Sequence, residues 1–100
     1  MNIPKIRRGE YLVVAVDGTE TLIEERPTIQ KIHRDIGCDC LDTVLLDRKA
    51  GIVMMVDDTG MVDNKPVNPK ATVWYHMICK PGTLHQIHGD VAIVNDLDFA

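Results

Sequence analysis

The run "YLVVAV" (11–16) carries apolar side chains on both sides of an extended backbone. Tyr11, Val13 and Ala15 fall on one side, and Leu12, Val14 and Val16 on the other. The stretch "GIVMMVDDTG" (51–60) repeats the pattern, with Ile52, Met54 and Val56 opposed to Val53 and Met55. Strands of this kind lie inside a sheet with both faces covered. Each closes on a turn signal, Asp17-Gly18 in the first and "DDTG" in the second.

Between them the period changes. In "RPTIQKIHRDIG" (26–37) Ile29, Ile32 and Ile36 make one apolar stripe, which predicts a short helix. Thr28 is its expected N-cap and Gly37 its left-handed stop. His33 lies off the stripe, as a solvated helix histidine. "CDCLDTVLLD" (38–47) predicts a strand, joined by the turn "RKAG" to the strand at 51–57. Within "NKPVNPKATVWYHMICKPG" (64–82) the sequence predicts a helix with Asn68 as N-cap and Pro69 as its first residue, although "TVWYHMI" also suits a strand. "HQIHGDVAIVND" (85–96) predicts a last strand, Val91 and Ile93 opposed to Ala92 and Val94.

The order β-α-β-β-α-β is that of the ferredoxin-like split βαβ sandwich, an α+β fold. The expectation is an antiparallel sheet with both helices on one face, and the strands at 10–17 and 51–57 at its centre. One hundred residues make a single domain: an N-terminal arm over 1–9 and a compact core over 10–96.

Composition adds little to this picture: 45% hydrophobic, 26% charged, four aromatics, so the core rests on Val, Ile, Leu and Met. Net charge is −4, and the densest basic cluster is Lys5, Arg7 and Arg8, read as a solvated tail. No nucleic-acid partner is expected. The N-terminus lacks a signal peptide's apolar run, and no window approaches a membrane span. Three cysteines that cannot all pair within one chain fit a reducing cytoplasm.

Candidate chemistry is sparse. Cys38 and Cys40 share one side if the strand includes them, and two thiols with His85, His88 or Cys79 would suit zinc. C-x-C entering a strand is not the usual zinc spacing, and on a regular strand His85 and His88 face opposite sides. The expectation is no metal, no cofactor and no intrachain disulfide. Asp39 and Asp42 disfavour a reactive thiolate at Cys38 or Cys40. The chain has no serine and no P-loop, G-x-S-x-G, G-x-G-x-x-G or H-E-x-x-H motif, so it is expected to be no enzyme.

The stretches "VNPKAT" (67–72), "IHGDVAIVND" (87–96) and "IGCDCLDTVLL" with "GIVMMVDDTG" together resemble the family catalogued as domain of unknown function 3846. The resemblance spans about Ile29 to Val94. Cys38 stands where that family usually has a second glycine. The resemblance implies a small accessory protein of bacteriophages and mobile elements, made in the bacterial cytoplasm; it implies no catalytic residues.

Two functions follow as expectations. The first is an interaction protein. With both helices on one face the other is open, and Met54 and Val56, or Val53 and Met55, become an interface for a homodimer or an unidentified protein partner. The second is a small-ligand or nucleotide-signal binder, with Asn68, Lys70, Trp74 and His76 as ligand-binding candidates beside His85 and His88, and Trp74 and Tyr75 stacking on a base.

Overall fold

The computed structural model describes residues 2–99. Five strands form one antiparallel sheet: β1 (Tyr11–Val14), β2 (Glu20–Ile23), β3 (Leu41–Asp47), β4 (Ile52–Asp57) and β5 (Val91–Asn95). Helix α1 (Ile29–Ile36) joins β2 to β3, helix α2 (Pro69–Ile78) lies between β4 and β5, and a 3₁₀ turn (Asp96–Phe99) follows. The α+β class with two helices and an antiparallel sheet is therefore as the periodicity implies.

The spatial order is β2-β1-β5-β4-β3. This differs from the split βαβ order, because the last strand enters between β1 and β4. β2 is an additional strand. "ETLI" is mostly exposed and carries no apolar face, so only its pairing with β1 across the Asp17-Gly18 turn makes it extended.

The two helices lie on opposite faces, which corrects the single-face expectation. Ala71 and Trp74 of α2 pack with Leu12, Val14, Met54, Val56, Val91 and Ile93. Ile32 and Ile36 of α1 pack with Tyr11, Val53, Met55, Ala92 and Val94. The physical reason is the apolarity of β1, β4 and β5 on both faces, which one helical layer would leave half uncovered. Every residue of β4 and β5 is buried.

Both helices begin as expected, and α1 ends as expected. The Thr28 hydroxyl accepts from the Lys31 amide, and Gly37 closes α1 at φ 64°. Asn68 caps α2, with Pro69 as its first residue. Cys38 and Cys40 precede β3 rather than lying in it, so they do not share a strand face. Residues 85–90 also stay outside the final strand; a single bridge pairs His88 with Val67.

The N-terminal segment is more than a solvated arm. Ile6 is buried, and its carbonyl accepts from Asn95 Nδ2 (3.0 Å). The Gly9 amide donates to the buried Asp98 carboxylate (3.0 Å to Oδ2). Lys5, Arg7 and Arg8 remain exposed.

Candidate functional site

A solvent-open cleft of about 360 Å³ lies on the α2 side of the sheet, toward the β3 edge. Its floor comes from Asp42 and Val44 of β3 and Val56 of β4. Asp42 pairs with Val56 and Val44 with Met54, so these side chains share the α2 face. Tyr75 closes one wall, and the segment from His85 to His88 another. Met61 and Val62 make the lip; they are 58% and 77% exposed, which marks them as an apolar rim facing water.

The loop bearing that lip is anchored at its base. Asp57 Oδ1 accepts from the Thr59 amide (3.0 Å), and the single Thr59 hydroxyl proton is shared between Asp57 Oδ1 (3.1 Å) and Asp63 Oδ2 (2.9 Å). The second Asp57 oxygen is ion-paired with Lys65 Nζ, which also donates to the Gly37 carbonyl (2.6 Å). Burial pushes the Asp57 carboxyl up, but the Lys65 ammonium and the Thr59 donors outweigh it, and its pKa lies below the ordinary value. Gly60 packs so closely on the opposite wall that a Cβ there would stand 2.7 Å from the His88 carbonyl oxygen.

Asp42 and Asp58 are different. Both line the cleft and both are exposed, and neither is ion-paired among the described residues. Tyr75 and His85 meet edge to face, with centroids 5.7 Å apart. Tyr75 holds its phenol proton above the ordinary pKa, through its bond with Cys79 first and burial second. The cleft is thus acidic at its floor, apolar at its lip and aromatic on one wall.

The four residues proposed as ligand contacts do not converge there. Asn68 is fully buried: Nδ2 donates to the Val14 and Gly89 carbonyls (3.0 Å each), and Oδ1 accepts from the Ala71 amide. Lys70 donates to the Gly18 carbonyl and pairs with Glu20 (2.6 Å). Trp74 is a core residue whose Nε1 donates to the Asn2 carbonyl (3.1 Å). His76 Nε2 contacts the His85 carbonyl (2.6 Å), so it donates there. All four brace α2 against its surroundings.

The interface candidates are corrected as well. Val53, Met54, Met55 and Val56 are all buried within one chain, because each face of β4 already has its helix. His85 and His88, expected on opposite sides of a strand, both line the cleft because 85–90 is irregular.

The cysteines are free and dispersed: Cys38 buried, Cys40 exposed, Cys79 half-buried. Burial first, and the Asp57 charge second, push the Cys38 thiol up. Among the described residues no three His, Cys, Asp or Glu side chains are grouped to hold a metal ion, and no helix is long and apolar enough to cross a membrane.

The cleft was legible only in fragments. "DDTG" is a turn, as its residues imply, and the ligand-binding expectation groups Tyr75, His85 and His88, but nothing in the spacing ties Asp42 or Asp58 to them. Comparison of the chain with protein families, curated proteins and solved structures found no match.

Proposed function

We propose that this protein is a non-catalytic interaction module that takes up part of a partner protein in the cleft beside β3. The observation that carries the reading is the pairing of two unpaired carboxylates, Asp42 and Asp58, with the exposed apolar lip of Met61 and Val62. A lysine or arginine side chain matches both, since its aliphatic stem lies on apolar surface while its charge meets a carboxylate. A nucleotide matches poorly, because the same carboxylates repel phosphate. The net charge of −4 favours a basic partner. Three free cysteines are in keeping with a reducing cytoplasm, and the resemblance noted above would make the protein a phage-type accessory factor there.

Capture from a bacterial lysate tests this with four baits: wild type, Asp58→Lys, Val62→Asp and the remote control Glu24→Lys. All three positions are exposed, so folding is expected to be unaffected. The expected result is a protein held by wild type and the control and lost by both cleft variants. A partner held equally by all four sinks the reading.

The volume of the cleft supports a second reading, since it lies within the range of small-ligand sites. A thermal-shift screen of organic amines separates the two. Saturable stabilisation by a free amine, abolished in Asp58→Lys, makes the protein a small-molecule binder.

A further inference from the structure

We propose that the free edge of β3, at the mouth of the cleft, accepts an extended basic peptide segment as a sixth strand; this rests on the cleft reading and specifies how the partner binds. β3 is the terminal strand of the sheet on the side where the cleft opens. Its hydrogen-bonding phase follows from one contact. The Asp58 amide donates to the Cys40 carbonyl (2.9 Å), which makes Cys40 and Asp58 a hydrogen-bonded pair at the end of the β3–β4 ladder. Antiparallel ladders alternate. Asp42 and Val44 therefore bond to β4, while the main-chain groups of Leu41, Thr43 and Leu45 face away from it.

The Thr43 amide is consistent with this phase, since it donates to the Asp42 carboxylate beside it (2.9 Å). An arriving peptide carbonyl replaces that carboxylate. The released carboxylate then meets a cation on the peptide. Beyond Leu45 the register shifts between Leu45 and Asp47, and such a bulge ends regular pairing. The template is the stretch from Leu41 to Leu45.

The side chains specify the occupant. A residue opposite Asp42 lies on the α2 face, above the acidic floor, and is lysine or arginine. Two positions along, opposite Val44, the same face calls for an aliphatic side chain. Opposite Leu45, 43% exposed on the other face, an apolar residue gains a cross-strand partner. The other edge strand, β2, is four residues long against seven for β3 and does not line this cleft. A second copy of this chain is a poorer occupant, since it brings another −4 of charge to the same acidic edge.

The probe is a dye-labelled, terminally blocked eight-residue peptide, Thr-Lys-Thr-Val-Val-Thr-Lys-Thr, which sets lysine opposite Asp42 and valine opposite Val44 and Leu45 in either strand direction. Two controls replace lysine by glutamate, or methylate alternate backbone amides. Fluorescence anisotropy is expected to give saturable, salt-sensitive binding of the first peptide only. Hydrogen exchange at Leu41, Thr43 and Leu45 is expected to slow in the complex. Thr43→Pro removes an edge-facing amide and leaves the β4 ladder intact, since proline is tolerated on that side of an edge strand. It is expected to weaken binding by about tenfold or more, through loss of a main-chain bond.

Equal binding of the methylated peptide, or unchanged exchange at the three β3 amides, overturns strand addition and leaves the cleft reading standing. No binding of the lysine–valine peptide at millimolar concentration also overturns it, and the cleft reading is then decided by the four-bait capture alone. Concentration-dependent dimerisation that protects those amides without peptide names a second copy as the occupant and equally overturns the proposal.

Discussion

Lys65 Nζ closes on the buried carboxylate of Asp57, eight residues earlier in the chain, and fastens the whole intervening loop to the C-terminus of α1 through the Gly37 carbonyl. The Asp57 side chain is 1% exposed and that of Lys65 26%. Removing the cation strands a buried charge. Lys65→Met is expected to cost about 2–4 kcal/mol of unfolding free energy, after allowance for the partial exposure of the lysine. Asp57→Asn, which removes the buried charge itself, is expected to cost less. Urea denaturation measures both; equal and small losses would show that the pair contributes little.

The same pair sets a pH window. The Asp57 pKa lies below its ordinary value of 3.8, so its contribution is present above that value and is lost as pH falls through the depressed one. The Lys65 pKa lies above its ordinary value of 10.5, mainly through Asp57, so its contribution holds below 10.5 and is lost at higher pH. Melting temperature measured against pH is expected to fall more steeply at the acid end for wild type than for Asp57→Asn. Superimposable acid limbs would contradict this.

Both tyrosines resist ionisation. Burial first, and the bond to Asp35 second, raise the Tyr11 pKa to about 12, and Tyr75 is raised as well. Ultraviolet titration of the native protein is expected to show no phenolate midpoint at 10, and unfolded protein to show one there. Stability is expected to decline as pH rises above 10, because only the unfolded chain then releases these protons. A native midpoint at 10 in Tyr75→Phe would remove the claim for Tyr11.

Asn68→Ala removes the cap of α2 and leaves the Val14 and Gly89 carbonyls without their buried donor. The expected cost is about 2–4 kcal/mol, the sum of a lost cap and of buried acceptors left unpaired. Asn68→Asp keeps the cap acceptor but not the amide donor, and is expected to remain destabilised. Chemical denaturation of the two variants distinguishes a ligand contact, whose removal would leave stability unchanged, from the structural role described above.

Gly60→Ala drives a Cβ against the His88 carbonyl oxygen at 2.7 Å, a backbone atom that cannot swing away. A loss of about 1–3 kcal/mol is expected, with amide chemical-shift changes concentrated at residues 85–88. Shifts elsewhere, or none, would mean that this wall of the cleft is not packed on Gly60.

Much of the fold was visible in the periodicity and much of the site was not. The stripe Ile29, Ile32, Ile36 with its caps, the cap at Asn68 and the hairpin around "RKAG" are local signals, and the elements they announce are present. β2 has no local signal. Glu20, Thr21 and Leu22 are exposed, and the strand exists because β1 offers it an edge. The placement of the helices was written in β4 but misassigned. Val53 and Met55 on one side, with Met54 and Val56 on the other, call for two covers, and the second is α1 rather than another molecule. The cleft joins residues as distant as Asp42 and His88, and no pattern within a few residues encodes that meeting.

β5 is synthesised after the other four described strands, yet it lies in the middle of the sheet, paired with β1 on one side and β4 on the other. Until it arrives, β1–β2 and β3–β4 are two hairpins with no ladder between them, and isolated hairpins are marginal in water. A nascent chain ending before Val91 therefore exposes the apolar edges of β1 and β4 together. Closure then depends on contacts spanning some eighty positions, from Leu12 to Ile93, which makes folding slow for a chain of this size. Until β5 is in place, both hairpins keep an unpaired edge and uncovered apolar side chains, the surface that chaperones and proteases recognise.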